Sequence, residues 1–173
     1  MRSDGVPEDE TQAAGQVVVG LDGSPSARAA LQWAAAYARM TGLPLRAVYV
    51  GDVGSNSAMW WSAGLAGAAA YLSEEEAAQQ YQVELGELFD SVTPEPGWVI
   101  EFNRGPAGSV LVQRSANAQL LVLGTREHTG VGRLLAGSVS HYCLSHAHCP
   151  VVAVPAPDHP DAGTSSAAAP VRA

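Results

Sequence analysis

Residues 17–25 read Val-Val-Val-Gly-Leu-Asp-Gly-Ser-Pro, and the architecture of the chain can be worked out from this order. The first five residues form a short apolar run rich in β-branched side chains, which is typical of a strand buried on both faces of a parallel sheet. Ser24 is suited to cap a helix, and Pro25 is suited to its first position. This stretch therefore predicts a strand, a glycine-containing turn and a capped helix.

The helix that follows is indicated by the spacing of its apolar residues. Ala27, Leu31, Ala34 and Ala38 recur at intervals of four and three, which is the apolar stripe of an amphipathic helix. Gly42 is placed to end this helix, because glycine readily adopts the left-handed conformation found there. We therefore expect one face of the helix to pack against the sheet.

The remainder of the chain alternates in the same way. Short apolar runs predict four more strands, at residues 45–50, 98–102, 120–123 and 151–154. Three more helices are predicted. The first begins at the capping-box pair Ser73 and Glu76, and its inner face consists of Ala78, Tyr81, Leu85, Leu88 and Val92. The second begins at Pro106, and the third spans residues 137–146. Five strands alternating with four helices predict an α/β fold, a parallel sheet with helices on both faces.

The composition excludes several classes of function. The chain has 173 residues, and its 9 basic residues, all Arg, stand against 17 Asp+Glu for a net charge of −8. Binding to nucleic acids or to anionic membranes requires clustered basic residues, so we expect neither. No run reaches the length of a membrane span and the first residues form no secretory signal, so we expect a cytoplasmic protein. The P-loop motif is excluded because Lys is missing, and the first turn does not fit GxGxxG.

The residues after the fourth predicted strand are candidates for binding an anion. That strand runs into Gly124, and Gly137 and Ser138 open the next helix. A helix start presents unpaired N–H groups and the positive end of the helix dipole, and Arg126 and Arg133 supply charge, so the segment is suited to bind phosphates. The alternative, which the residues leave open, is a flexible surface loop joined to an ordinary helix cap.

Three segments resemble the universal stress protein family. They are VVVGLDGSPSARAALQWAAAYA at residues 17–38, LLVLGTREHTGVGRLLAGSVS at 120–140 and SHAHCPVVAVP at 145–155. The resemblance covers residues 16–155 and implies a doubly wound sheet of the adenine nucleotide alpha hydrolase type, with strand order 3-2-1-4-5. Residues 1–15 are acidic and residues 156–173 are rich in Pro, Ala and Ser, so we expect both ends to be disordered.

The resemblance also implies a nucleotide site. The family signature is Gly-x2-Gly-x9-Gly-Ser/Thr, and Gly124, Gly137 and Ser138 occupy matching positions. Asp22 is implied to meet the ribose or a Mg²⁺ ion on the phosphates, and the backbone of Val50 to contact adenine. The implied nucleotide-binding residues are Gly20, Asp22, Val50, Leu123, Gly124, Arg126, Gly137, Ser138 and Val139.

Two positions leave alternatives open. Asp22 precedes Ser24 and Pro25, so it is equally suited to cap the first helix. Glu127 stands where the signature has its second glycine. A carboxylate at that place repels phosphate unless it turns away, pairs with an arginine or reaches a metal.

The resemblance implies a function and one alternative to it. The first is an ATP-binding protein, with Mg²⁺, that acts as a nucleotide-responsive regulatory homodimer in stress response and pairs through its last strand, 151–154. The alternative is a member that does not bind ATP and acts as a protein-interaction module through its dimer and the unpatterned segment 51–70, which contains Trp60 and Trp61. Glu127 favours the alternative. No residue set favours efficient turnover, so we expect no enzyme and at most slow hydrolysis of ATP.

A cluster of metal-ligating residue types lies near the last strand. Cys143, His146, His148 and Cys149 fall within seven residues, but they do not form two separated ligand pairs, so we predict no zinc site. We interpret Cys143 as a small buried residue.

Overall fold

A computed structural model describes residues 15–51, 74–125 and 137–156. Strands and helices alternate through these residues. The strands are β1 (Val17–Leu21), β2 (Leu45–Gly51), β3 (Val99–Arg104), β4 (Leu120–Thr125) and β5 (Val151–Pro155). The helices are α1 (Pro25–Thr41), α2 (Glu74–Asp90), α3 (Ala107–Arg114) and α4 (Ser138–His146). In the described part of the chain, no helix is long and apolar enough to cross a membrane.

The five strands form one parallel sheet in the order β3-β2-β1-β4-β5, which confirms the predicted fold. β1 lies at the centre, where Val17 is paired with Leu45 of β2 on one side and with Leu120 of β4 on the other. The chain therefore moves from β1 to one edge of the sheet and then returns to the opposite side of β1. The strand order reverses between β1 and β4, as the predicted site requires.

The side chains of β1 alternate between two hydrophobic cores. Val17, Val19 and Leu21 face the larger core, which contains the buried residues of α1 and α2. Val18 faces the smaller core, on the side of α3 and α4. Because both faces of β1 are buried, its sequence is continuously apolar rather than alternating.

The predicted limits of α1 are confirmed. The Ser24 hydroxyl accepts a hydrogen bond from the Ala27 N–H at 3.2 Å, and Pro25 occupies the first helical position. Gly42 ends the helix in the left-handed conformation, with φ of 68°. The predicted apolar stripe, Ala27, Leu31, Ala34 and Ala38, is buried.

The inner face of α2 differs from the prediction. Leu85 and Leu88 are buried as expected, but Ala78 is exposed and Phe89 is buried in the core. Val92 lies beyond the end of the helix and packs against the core from there. Among the described side chains of α2, the fully buried ones therefore lie in its C-terminal half.

β3 starts and ends later than predicted. Its last residues, Asn103 and Arg104, pair with Val50 and Gly51 of β2, although their polar side chains are not typical of a buried strand. They are accommodated because β3 is an edge strand. Trp98 precedes the strand and is buried, with its ring 4.9 Å from the guanidinium carbon of Arg39.

Gly124 lies where β4 approaches the backbone of α1 closely. A Cβ at this position would lie 2.4 Å from the carbonyl carbon of Ser26 and 2.6 Å from the amide nitrogen of Ala27. Both atoms belong to the backbone of the first turn of α1, so they cannot move aside as a side chain does. The absence of a side chain at Gly124 is therefore required for α1 to pack on β4.

We expect Gly124→Ala to destabilise the protein by about 3 kcal/mol, the upper end of the usual cost of overpacking. Gly86→Ala is the matched control, because a Cβ at Gly86, within α2, meets nothing within 4 Å. Removing a glycine from a helix interior stabilises by about 0.5–1 kcal/mol. Urea unfolding of both variants should give shifts of opposite sign, and equal stability of Gly124→Ala and the wild type would refute the contact.

Candidate functional site

The carboxyl ends of β1 and β4 lie side by side at one edge of the sheet. The two strands are parallel neighbours, and the helices that follow them pack on opposite faces, α1 with the larger core and α4 with the smaller. Where neighbouring strands direct their helices to opposite faces, a crevice opens between the strand ends, and ligands of such sheets bind there. The predicted site residues Asp22 and Gly124 flank this crevice.

Asp22 stabilises the turn between β1 and α1 rather than capping the helix. One of its carboxylate oxygens, Oδ1, accepts hydrogen bonds from the Ser24 N–H at 3.1 Å and from the Ser24 hydroxyl at 2.6 Å. Ser24 in turn caps α1, so the capping interpretation of Asp22 is wrong. Within the described residues, every hydrogen bond of Asp22 is accepted by Oδ1. Because the side chain is exposed, its second oxygen, Oδ2, can contact a ligand.

Tyr49, which the sequence analysis did not identify, lies next to Asp22. It is paired with Leu21, the residue before Asp22. Burial, and then the negative charge of Asp22, raises the pKa of the Tyr49 phenol. Its ring contacts Tyr81 edge-on at a centroid distance of 5.0 Å and Phe102 at 6.0 Å. The sequence signal that could have identified Tyr49 is the alternation of side chains along β2, which places Tyr49 on the opposite face of the sheet from Val50.

The start of α4 has a glycine as its N-cap. Gly137 is in an extended conformation, and within residues 15–51, 74–125 and 137–156 no side chain caps the helix. The Gly137 carbonyl accepts the first helical hydrogen bond, from the His141 N–H at 3.0 Å. Ser138 is exposed, and Val139 packs its side chain against the smaller core. The first N–H groups of a helix have no partner within the helix and favour an anion, so the role predicted for Ser138 and Val139 stays a prediction.

Two of the predicted site glycines have packing roles that do not depend on a ligand. A Cβ on Gly20 would lie 3.0 Å from Cδ2 of Leu123 and 3.4 Å from the side chain of Leu111. Gly124 is in contact with α1, as described above. The presence of glycine at these positions is therefore not, by itself, a sign of nucleotide binding.

The remaining predicted residues offer backbone rather than side-chain contacts. Leu123 is buried in the smaller core, and Val50 packs against the same core. Because their side chains belong to the core, any contact of these two residues with a ligand at the carboxyl ends of β4 and β2 would come from the main chain. Arg126, Glu127 and the tryptophans of the segment 51–70 lie outside the described residues.

Cys143 is a core residue, as predicted. It is fully buried, and its thiol donates a long hydrogen bond to the Gly108 carbonyl, with an Sγ–O distance of 3.8 Å. Burial, with a smaller effect of Cys149, raises the pKa of the Cys143 thiol to about 11. The thiolate is the reactive form of cysteine, so Cys143 is not suited to act as a nucleophile at neutral pH.

Comparison with known proteins agrees with this architecture. Universal stress protein Rv2624c of Mycobacterium tuberculosis is 33% identical over 138 residues, which are 78% of this chain and 46% of that protein. The chain spans about half the length of the curated relatives it matches.

Two solved structures share the fold. A universal stress protein in complex with cAMP is 19% identical, with a TM-score of 0.52 over 82% of this chain and 98% of that one. The universal stress protein from Archaeoglobus fulgidus in complex with dAMP is 18% identical, with a TM-score of 0.53 over 81% and 97%. The Universal stress protein family itself matches residues 14–155, a range that includes both strand ends of the site and the start of α4. The chain therefore belongs to the universal stress protein family.

Proposed function

We propose that this protein binds ATP, with Mg²⁺ on the phosphates, between the carboxyl ends of β1 and β4, and that it acts as a nucleotide-responsive regulatory dimer in stress response. The observation that carries the proposal is the start of α4, where the N-cap is Gly137, a residue with no side chain that could cap the helix. Such a helix start leaves several N–H groups without partners and favours an anion. Phosphate oxygens are acceptors suited to such donors.

Different backbone and side-chain groups of the site bind different parts of the nucleotide. The N–H groups of Ser138 and Val139 bind phosphate, and the exposed Ser138 hydroxyl adds a further donor. Oδ2 of Asp22 accepts from the ribose hydroxyls or coordinates Mg²⁺, which reduces the negative charge of the phosphates when bound. The β2 backbone at Val50 lies farther along the same edge, at the place proposed for adenine. The relatives with cAMP and dAMP support a ligand that contains adenine, ribose and phosphate.

The second candidate is a family member that does not bind ATP and works as a protein-interaction module. Glu127 at the second signature position favours it. The packing roles of Gly20 and Gly124 also favour it, because these glycines would be needed whether or not a nucleotide binds. The two candidates differ in one measurable property, affinity for Mg-ATP.

The two edges of the sheet differ, and only one is suited to pair with a second copy. On β3, Glu101 forms ion pairs with Arg46 and Arg114. Charges on an edge strand oppose pairing with another chain. β5, in contrast, reads Val-Val-Ala-Val-Pro without a charge. We therefore place the proposed dimer at β5.

The backbone of β5 defines how the two copies would pair. The Leu121 N–H donates to the Pro150 carbonyl at 2.9 Å. Because successive residues of a strand direct their backbone groups to opposite sides, the N–H and C=O of Val151 and Ala153 point away from β4. Pro155 directs only a carbonyl outwards, since it has no N–H. Antiparallel pairing centred on Ala153 places Val151 opposite Pro155 of the second copy. It satisfies both groups of Ala153, the Val151 N–H and the Pro155 carbonyl, and leaves the Val151 carbonyl to water.

Asp22→Asn tests the nucleotide site. We expect affinity for Mg-ATP to fall about tenfold, because the amide keeps Oδ1 as an acceptor for Ser24 but removes the charge that attracts Mg²⁺. Stability should change by no more than about 0.5 kcal/mol, the usual limit for a surface change. Asp90→Asn is the control, since Asp90 lies at the far end of α2. Isothermal titration should find the affinity of Asp90→Asn for Mg-ATP equal to that of the wild type. Equal affinities of the wild type, Asp22→Asn and Asp90→Asn would show that Asp22 is not part of the site.

Glu127→Gly distinguishes the two candidate functions. If ATP binds next to position 127, removing the carboxylate restores the family signature and should tighten binding about tenfold, because a like charge no longer faces the phosphates. Titration of the wild type and of Glu127→Gly with Mg-ATP measures this directly. Absence of binding by both proteins at millimolar ATP would reject the nucleotide function and leave the interaction module.

Ala153→Pro tests the dimer. The substitution removes the central outward N–H and leaves the bonds to β4 intact, since proline is tolerated on edge strands whose N–H faces outwards. We expect the dimer dissociation constant, from sedimentation equilibrium, to rise at least about tenfold. Ala153→Ser keeps the N–H and should dimerise like the wild type. A dimer that persists in Ala153→Pro would place the interface elsewhere.

A further inference from the structure

α1 exposes a row of large apolar side chains on one side. Trp33, Tyr37 and Met40 are spaced by four and three residues, and we call them the α1 ridge. The rings of Trp33 and Tyr37 are stacked, with centroids 5.3 Å apart and planes 9° from parallel. Trp33 is 39% exposed and Met40 is 77% exposed. The side chains are thus ordered against each other but are only partly covered by the rest of the described chain.

The opposite side of α1 shows which way the ridge points. Arg39 donates hydrogen bonds to the carbonyls of Val92 and Thr93 and forms an ion pair with Glu95 at 3.3 Å. These partners follow α2, which covers the β2–β3 half of the sheet, so the Arg39 side of α1 faces that half. Trp33 and Met40 lie about 100° or more around the helix from Arg39, at 100° per residue. The α1 ridge therefore faces the other half, towards β5.

The packing of Tyr37 agrees with this direction. Tyr37 contacts the larger core, to which Val152 and Val154 of β5 also contribute from its margin. α1 itself packs over β1 and β4 and reaches β5. Trp33 is the middle residue of α1, and Ala153 is the middle residue of β5. In the part of the chain that the structure describes, the ridge and the outer edge of β5 therefore border the same margin.

We propose that the α1 ridge is the second half of a self-association surface, on which the ridge of another copy of this chain packs. The inference rests on the β5 pairing proposed above. A two-fold axis through the paired Ala153 residues, perpendicular to the sheet, keeps both α1 helices on the same face. It brings their β5-facing sides towards each other, which makes the contact isologous.

Distances explain why the ridge consists of large side chains. Neighbouring strands are about 4.8 Å apart. If α1 lies over β4, the axes of the two α1 helices are separated by three strand spacings across the dimer, which is about 14 Å. If α1 lies between β1 and β4, the axes are separated by four strand spacings, about 19 Å. Helices packed through ordinary side chains are about 8–10 Å apart. The gap between the two α1 helices is therefore wider than usual, and aromatic side chains such as Trp33 and Tyr37 are needed to fill it.

The apolar side chains of the α1 ridge are suited to offset the repulsion between two copies of this chain. The chain carries a net charge of −8, so two copies repel each other at long range. Apolar burial has to offset this repulsion, and the short backbone ladder of β5 adds little apolar area of its own. The α1 ridge supplies uncharged, partly ordered surface at the place where two copies would meet. Aromatic residues of this kind dominate the binding free energy of interfaces.

Trp33→Glu is the test, with Val83→Glu as the matched control. Val83 is 62% exposed on α2, on the half of the sheet away from β5, so it accepts the same change of charge outside the proposed surface. Sedimentation equilibrium of the full chain should show a dissociation constant at least about tenfold higher for Trp33→Glu, a loss typical of an aromatic interface residue. Trp33→Phe and Val83→Glu should stay within about twofold of the wild type. Circular dichroism melts of the monomeric state check that each variant is folded.

The possible outcomes separate the two proposals. If Trp33→Glu dimerises like the wild type while Ala153→Pro does not, the ridge proposal is wrong and the β5 pairing stands. If Trp33→Glu and Ala153→Pro both weaken the dimer and Val83→Glu does not, the ridge is part of the interface. A wild type that is monomeric at every concentration rejects both the ridge and the β5 pairing, while titration with Mg-ATP decides the nucleotide function independently.

Discussion

The close contact between Gly124 and the first turn of α1 is the constraint on which the site depends. With no side chain at Gly124, the backbone of Ser26 and Ala27 packs directly on β4, although α1 follows β1 in the chain. Ser26 is buried in this contact, and its hydroxyl lies 3.0 Å from that of Ser24, the residue held by Asp22. The first turn of α1, which follows the turn after β1, is therefore held against the end of β4 by a contact that a single glycine permits.

The same contact determines where α1 lies on the sheet. Because α1 packs on β4, it lies towards the β5 edge of the sheet. On the other side of α1, Arg39 donates a hydrogen bond to the segment after α2. The exposed aromatic side chains of α1 then border β5 rather than the centre of the sheet. One close approach thus underlies both the proposed nucleotide site and the proposed surface for a second copy.

The proposed site and the proposed interface share β4. Leu123, at the end of β4 next to Gly124, is paired with Ala153, the residue on which the antiparallel β5 pairing is centred. A nucleotide bound at the start of α4 and a second copy bound at β5 would therefore be separated by one strand. The opposite edge, where Glu101 is paired with Arg46 and Arg114, takes no part in either proposal.

Local patterns in the sequence were sufficient to predict the strands and helices, because the buried strand at 17–21, the Ser24-Pro25 helix start and the Gly42 helix end all depend on neighbouring residues. The strand order came from the family resemblance instead. Only the tertiary structure showed that Asp22 holds Ser24 rather than capping α1, that Tyr49 lies beside Asp22, and that Gly124 makes room for a helix. Each of these depends on contacts whose lengths are set by packing. Secondary-structure periodicity reports which face of an element is buried, and it carries no information on the distance to the element packed against that face.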